Sequence, residues 1–177
     1  MADELTNKSK FLSFVLRHKP DEIGVELDTQ GWGSVAQIAN KSGGKLSVQE
    51  ILDIVATSDK KRFSLSPDQA QVRANQGHSF PVDLGLQRQT PPDTLYHGTA
   101  TRFVDAIVTE GLRKQSRQHV HLTDNVETAT QVGQRYGKAV IFHVDAKSMH
   151  TAGHAFYRSE NDVWLTEYVE PKFLRQP

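Results

Sequence analysis

The chain has 177 residues, of which 37% are hydrophobic, so it can bury the core of one ordinary domain or of two small ones, and wholesale disorder is excluded. It contains no cysteine, which excludes disulfides, thiol catalysis and thiolate metal sites. Basic and acidic residues balance at 21 each, which excludes a uniformly basic nucleic-acid coat. Any anion site must therefore be a local cluster of cations.

The sequence shows no membrane or secretion signal. It lacks an apolar run of about 18 residues, and its start lacks the basic and apolar regions of a signal peptide. We therefore expect no membrane contact, and the absence of cysteine fits a cytoplasmic protein. We also expect the protein to be a monomer.

The first predicted helix covers residues 7–17 and is stopped by Pro20. Its apolar stripe has the i, i+3, i+4 spacing of a buried face: Leu12, Val15 and Leu16. Arg17 and His18 then end a rigid element, where two side chains suited to phosphate would be held firmly. The alternative is that these last-turn cations merely complement the helix dipole.

Two further helices and a β-hairpin are predicted next. Ser34 caps a helix over residues 35–41, and Ser47 caps another with a glutamate three residues on, as in a capping box. Residues 62–65 and 71–74 alternate like the two strands of a hairpin. Three helices followed by a hairpin is the order of a winged helix. An arbitrary small α+β lobe is the alternative.

A segment rich in glycine and proline, residues 77–92, predicts a boundary with at most one short strand. We therefore predict a first domain over residues 1–80, a linker over 81–92 and a second domain over 93–177.

The second half has a different pattern, in which short strands dominate. The predicted strands are 95–98, 119–123, 139–144 and 163–166, and the predicted helices are 103–110 and 127–136. Many short strands with two helices indicate a compact, largely antiparallel sheet. The whole chain is therefore predicted to be α+β.

Two clusters of side chains could carry chemistry. The first combines the end of helix one with the cations of the hairpin and the polar residues after it: Arg17, His18, Lys61, Arg62, Arg73, Gln76 and His78. Such a cluster suits a phosphate, although residues 60–62 could equally be a solvated turn. The second cluster is residues 96–99 with His121 and Tyr157, where small residues after a strand-borne histidine would let a ligand approach the backbone.

No metal site and no common catalytic motif accompanies these clusters. His119 and His121 share a strand face, but neither an HExxH pattern nor an acidic partner accompanies them. The motifs GxSxG, GxGxxG and GxxxxGK[ST] do not occur, so serine hydrolase, Rossmann and P-loop interpretations lack support.

Eight segments, in order, resemble the RNA 2′-phosphotransferase family of NAD-dependent enzymes. They are SKFLS (9–13), RHKP (17–20), GW (31–32), TSDKKRF (57–63), RANQGHS (73–79), YHGT (96–99), HVHL (119–122) and DVWLT (162–166). The resemblance extends from about residue 9 to residue 174. It implies a winged-helix-like N-terminal lobe that binds the RNA 2′-phosphate and an ADP-ribosyltransferase-like C-terminal lobe that binds NAD.

The resemblance also implies a two-step reaction at a tRNA splice-junction type of phosphate. The RNA 2′-phosphate attacks C1″ of NAD and expels nicotinamide, and the ribose O2″ then attacks the phosphate. The products are 2′-hydroxyl RNA and ADP-ribose 1″,2″-cyclic phosphate, and no metal is involved.

The family's essential Arg-His-Arg-Arg set can be assigned to residues of this chain. Arg17 and His18 match its first two members, Arg62 is our assignment for the third with Arg73 as a competitor, and Arg135 matches the fourth.

The resemblance also implies two sets of binding residues. Those expected to bind the RNA phosphate are Lys61, Arg73, Gln76 and His78. Those expected to bind NAD are His97, Gly98, Thr99, His121, Leu122 and Val163. In the wider fold a late-strand glutamate often binds the NAD ribose, and here Val163 stands at the corresponding position. Glu160 lies nearby in the sequence and is the alternative carboxylate for the ribose.

Two other functions remain open at this point. The same clusters could stop after the first step and cap a terminal nucleic-acid phosphate with ADP-ribose. Alternatively, the chain could be a winged-helix nucleic-acid binder with a degenerate second lobe that has no activity.

Overall fold

A computed structural model describes residues 2–58 and 60–176, so Asp59, which belongs to one of the resembling segments, lies outside the described residues. The α-helices of the described chain are α1 Ala2–Arg17, α2 Val35–Lys41, α3 Val48–Thr57, α4 Val104–Glu110, α5 Val126–Gln134 and α6 Ala146–Thr151. The strands are β1 Gly33–Ser34, β2 Phe63–Leu65, β3 Gln71–Ala74, β4 Thr94–Ala100, β5 Leu112–Arg113, β6 Val120–Leu122, β7 Ala139–Asp145, β8 Tyr157–Arg158, β9 Trp164–Thr166, β10 Tyr168–Val169 and β11 Leu174–Arg175. The expected mixed α+β content with antiparallel sheets is confirmed.

The chain divides into two compact units, one ending at Gly85 and the other starting at Leu86. This division falls inside the segment 81–92 that the sequence assigns to a linker. No helix in the described part of the chain is both long enough and apolar enough to span a membrane.

The first unit packs α1, α2 and α3 against a three-stranded antiparallel sheet in the order β1-β3-β2. The predicted stripe of α1 is fully buried, because Leu12, Val15 and Leu16 are each 0% exposed. Burying such a side chain contributes about 1.5–3 kcal/mol. This apolar core fixes where the C-terminal end of α1 lies.

The predicted helix caps of this unit are confirmed. The Ser34 hydroxyl accepts a hydrogen bond from the Gln37 amide. Ser47 and Glu50 exchange the two hydrogen bonds of a capping box. Helix α1 begins at Ala2, five residues before the predicted start, because its polar first turns lack the apolar period on which that prediction depends.

The second unit contains three small antiparallel sheets, ordered β11-β7-β4, β6-β9-β8 and β10-β5. A bridge between Tyr96 of β4 and Thr123, just after β6, joins the first two sheets through paired backbone hydrogen bonds of 2.7 and 3.0 Å. The predicted strand at 163–166 begins one residue late, at Trp164. Helix α6 was not predicted from the sequence.

The close packing of α5 on β4 requires glycine at position 98. A Cβ on Gly98 would lie 1.7 Å from the Ala129 carbonyl oxygen of α5, and one on Gly133 would lie 2.6 Å from the Thr99 oxygen. The backbones of β4 and α5 are therefore in direct contact next to His97. The sequence predicts that this small residue lets a ligand approach the backbone, whereas α5 fills the space that a side chain at position 98 would occupy.

Gly98→Ala is expected to lower the free energy of unfolding by about 3 kcal/mol, because the backbone of β4 or α5 must move. Gly153→Ala is the control, since its Cβ would meet nothing within 4 Å and only its positive φ of 97° causes strain, worth about 1 kcal/mol. Equilibrium urea unfolding measures both variants. Equal losses would contradict the close contact.

Candidate functional site

In the first unit, the end of α1 is fixed by the segment that follows the hairpin. The Ser79 amide donates a hydrogen bond of 2.9 Å to the Arg17 carbonyl, and the Ser79 hydroxyl lies 2.9 Å from Nδ1 of His18. These contacts hold the two predicted catalytic side chains beside residues 75–79. The sequence did not single out Ser79 for this role.

Gly77 lets this segment pass over the guanidinium of Arg17. Its φ is +88°, and a Cβ there would lie 3.5 Å from both Cδ and Nε of Arg17. A side chain at position 77 would be strained and would cover the guanidinium.

Three of the predicted phosphate-binding side chains are buried in the same unit. Arg73 is 8% exposed, Gln76 9% and His78 1%. The guanidinium carbon of Arg73 lies 4.7 Å from the ring centroid of Trp32. The first unit thus contains a buried polar cluster, and Trp32 packs against its arginine.

The buried cluster leaves hydrogen-bonding atoms of two residues without a protein partner. Nδ1 and Nε2 of His78 and Oε1 of Gln76 are buried and make no hydrogen bond to any described residue. Such orphaned atoms cost about 1–3 kcal/mol each. They are the expected feature of a site built for a polar ligand.

His78 is held neutral in this cluster. Burial is the main cause that lowers its pKa to about 4, with smaller contributions from the positive charges of Arg17, His18 and Arg73. Two arginines and a second histidine therefore surround a neutral imidazole that can donate a hydrogen bond. This combination suits a phosphate, which brings negative charge and several acceptor oxygens.

Lowering the pH from 7 to 5 is expected to reduce the stability of the protein by about 2 kcal/mol through His78. Its pKa falls from an ordinary 6.5 to about 4 on folding, so between these values the unfolded chain binds more protons and stability falls as the pH falls. Urea unfolding of the protein and of His78→Gln at both pH values measures this difference. An identical pH dependence of the two would contradict it.

Arg62 and Lys61 lie at the start of the hairpin. Ser64 pairs with Arg73 in the register of β2 and β3, so Arg62, two residues before Ser64, shares the face of Arg73. Asn75 holds this segment in place with two hydrogen bonds. Its side-chain Nδ2 donates to the Lys61 carbonyl at 2.7 Å, and its backbone amide donates to the Arg62 carbonyl at 2.9 Å. Lys61 is exposed and Arg62 half-buried.

The two competing arginines therefore differ in position. Arg73 is buried, stacks on Trp32 and acts electrostatically on His78, whereas Arg62 is not among the charges that lower the pKa of His78. Geometry thus brings Arg73 into the cluster with Arg17 and His18. The sequence-based choice of Arg62 stays a prediction.

In the second unit, the two predicted NAD-binding histidines lie side by side. Nδ1 of His97 is 3.1 Å from the His121 carbonyl, an acceptor, so Nδ1 carries the proton and Nε2 is left as the acceptor. Burial lowers the pKa of His97, the hydrogen bond to the His121 carbonyl partly opposes this, and the charge of Arg117 lowers it further. His97 is therefore neutral at physiological pH.

Arg117 is a residue that the sequence analysis did not select. Its Nη1 lies 2.8 Å from Nδ1 of His121. A guanidinium can only donate, so Nδ1 of His121 accepts and the proton of a neutral imidazole lies on Nε2. A strand period could not have indicated it, because Arg117 lies in the turn before β6, where its backbone amide donates a 3.0 Å hydrogen bond to the Lys114 carbonyl.

The other predicted NAD-binding residues differ in how far their side chains are buried. Thr99 is buried beside Gly98 in β4, and Leu122 is 2% exposed in the apolar core, which leaves mainly its backbone for a ligand. Val163 is half-buried just before β9, and Ser159 holds both its backbone amide and its carbonyl.

Arg135, the predicted fourth catalytic residue, is exposed at the C-terminal end of α5. Within the described chain, no hydrogen bond joins it to His97 or His121. Its assignment stays a prediction beside the competing candidate Arg117. Within the described residues, no group of three or more histidine or acidic side chains is arranged to hold a metal ion.

A family model described as RNA 2′-phosphotransferase, Tpt1 / KptA family, matches residues 3–168. A protein of Hahella chejuensis described as a probable RNA 2′-phosphotransferase is 54% identical to this chain, over 98% of this chain and 95% of that protein. Proteins of the same description from Acaryochloris marina and Rhodopirellula baltica are 48% and 51% identical, over 98% of this chain and 98% and 97% of their own length. The chain therefore belongs to the RNA 2′-phosphotransferase family.

Proposed function

We propose that this chain removes an internal RNA 2′-phosphate by transferring it to NAD. In the first step an oxygen of the 2′-phosphate forms a bond to C1″ of the nicotinamide ribose. The glycosidic bond breaks, and nicotinamide leaves with the electron pair. In the second step O2″ loses its proton and attacks phosphorus, the bond from phosphorus to the RNA 2′-oxygen breaks, and that oxygen takes up a proton.

The products of these steps are nicotinamide, ADP-ribose 1″,2″-cyclic phosphate and RNA with a free 2′-hydroxyl. The phosphate first attacks and is then attacked, so it must be neutralised and oriented throughout. Positioning and charge do this without a covalent enzyme intermediate.

The observation that carries the proposal is the buried cluster around His78. Its ring nitrogens have no protein partner, and Arg17, His18 and Arg73 add positive charge around it. A phosphate monoester supplies an acceptor for the N–H of the His78 ring and compensates the positive charge of the cluster. A structural core histidine would instead have its nitrogens satisfied by the protein.

His18 is the group of this cluster best placed to move protons. It lies at the surface end of α1, where the Ser79 hydroxyl at 2.9 Å orients its ring. In our proposal it takes the proton from O2″ and returns it to the departing RNA oxygen. A histidine suits both tasks because its ordinary pKa lies near neutral pH.

The donor set of the second unit fits NAD as the co-substrate. The acceptor Nε2 of His97 suits a ribose hydroxyl, and the Arg117 guanidinium suits a diphosphate. Val163 offers no carboxylate to grip O2″. This absence is consistent with an O2″ that must itself become a nucleophile.

The test is an incubation of the chain with NAD and an RNA that carries one internal radiolabelled 2′-phosphate. We expect equal amounts of nicotinamide, labelled cyclic phosphate and 2′-hydroxyl RNA. The same RNA without NAD is the control and should keep its label. No release of nicotinamide would overturn the proposal in favour of a nucleic-acid binder without activity.

A parallel incubation uses RNA with a 5′-terminal phosphate and no 2′-phosphate. A stable ADP-ribosyl cap on this RNA, with no cyclic phosphate from the first substrate, would assign the chain to capping instead. Both reactions release nicotinamide, so the fate of the labelled phosphate decides between them.

A further inference from the structure

Five residues of the second unit form an exposed surface, here called the aromatic–basic patch. They are Arg102, Phe103, Arg135, Tyr136 and Lys138. The backbone brings the two segments together, because the Thr101 amide donates a 3.1 Å hydrogen bond to the Lys138 carbonyl. The patch lies where β4, which carries His97, ends and α5 ends.

The two rings of the patch are exposed and touch each other. Phe103 is 40% exposed and Tyr136 46%. Their centroids are 6.4 Å apart with an interplanar angle of 80°, so the edge of one ring meets the face of the other. The Arg102 guanidinium carbon lies 4.8 Å from the Phe103 centroid. Aromatic area this exposed is not explained by core packing.

The three cations of the patch have no carboxylate partner within the described chain. No carboxylate of the described chain lies within ion-pair distance of Arg102, Arg135 or Lys138. Four other cations of this unit each have a carboxylate within 4 Å: Arg113, Lys114, Arg158 and Lys172. Asp105 is the one acidic residue within four positions of any patch residue in the sequence. The patch is therefore a local positive surface in a chain without net charge.

We propose that the aromatic–basic patch binds single-stranded RNA by stacking a nucleobase on its rings and pairing its cations with the adjoining phosphodiesters. Exposed rings beside uncompensated cations are the combination that recognises unpaired nucleotides, because every base has a stackable face and the backbone is anionic. A duplex would hide its base faces from these rings. The proposal rests on the proposed function, since it extends the substrate beyond its 2′-phosphate.

The first test measures equilibrium binding of fluorescently labelled single-stranded RNA to the full chain by anisotropy, without NAD, so that no reaction occurs. Phe103→Ala/Tyr136→Ala is expected to raise the Kd roughly ten- to hundredfold, the usual effect of losing aromatic stacking. Val126→Ala is the matched control, because Val126 is an exposed apolar residue at the start of α5. Melting temperatures of both variants report whether they fold.

The second test uses the salt dependence of the same binding. Arg102→Gln/Lys138→Gln is expected to reduce the slope of log Kd against log salt concentration by about 1.4, which is about 0.7 for each lost phosphate contact. An unchanged slope would show that Arg102 and Lys138 do not contact the RNA phosphates.

Two RNAs separate failure of the patch from failure of the proposed function. One carries an internal 2′-phosphate and the other does not, and the double aromatic variant should weaken both equally. If the 2′-phosphate does not strengthen binding to the unmodified chain, the proposed function fails while the patch stands. A change in Kd below twofold, or a raised KM for NAD with unchanged RNA binding, overturns the patch.

Discussion

Arg17→Ala and His18→Ala are each expected to lower turnover of 2′-phosphorylated RNA by roughly 10²–10⁴-fold, the usual effect of one charge-stabilising or acid–base group. Arg17 has Nε and Nη2 buried under Gly77, and His18 is oriented by Ser79. Single-turnover assays with saturating NAD measure the loss directly. Lys10→Ala, an exposed cation earlier on α1, is the control.

The two variants are expected to differ in what accumulates. Loss of a proton-transferring His18 should slow the second step more than the first, so ADP-ribosylated RNA should build up in His18→Ala. Loss of Arg17 should slow both steps, because the phosphate is bound throughout. A loss of less than about tenfold in both variants would mean that the phosphate is bound elsewhere.

Arg117→Ala is expected to lower kcat/KM for NAD roughly 10²-fold, whereas Arg135→Ala should change it less than about tenfold. Arg117 contacts His121 at 2.8 Å and lowers the pKa of His97. Its loss therefore removes a cation from the site and also removes the hydrogen bond that fixes the tautomer of His121. Steady-state kinetics at saturating RNA measure the effect. Lys147→Ala, an exposed cation on α6, is the control.

The opposite ranking would be equally informative. A larger loss in Arg135→Ala would support the sequence-based assignment of the fourth catalytic residue and would reduce Arg117 to a local support of His121. Imidazole NMR signals of His121 distinguish these cases, because only Arg117→Ala should shift them.

Local signals in the sequence determined most of the first unit. Apolar spacing in α1 and the capping residues Ser34 and Ser47 act within one or two turns, so they can be read without knowing the fold. The resemblance to a known family likewise rested on segments that stand in order along the chain. The first residues of α1 were not predicted to be helical, because polar helical turns have no apolar period in the sequence.

Tertiary structure alone decided which distant side chains meet. The position of Arg73 on Trp32, the burial of His78 and the contact between Arg117 and His121 depend on pairings across 41 residues, on the core and on a turn before β6. The role of Gly98 could not be predicted either, because the sequence does not show whether a ligand or a helix backbone occupies the space beside a glycine. Sequence supplied the chemical groups and their local frames, because propensity and capping act over a few residues. Packing decided which groups converge, because long-range contacts and burial set their electrostatics.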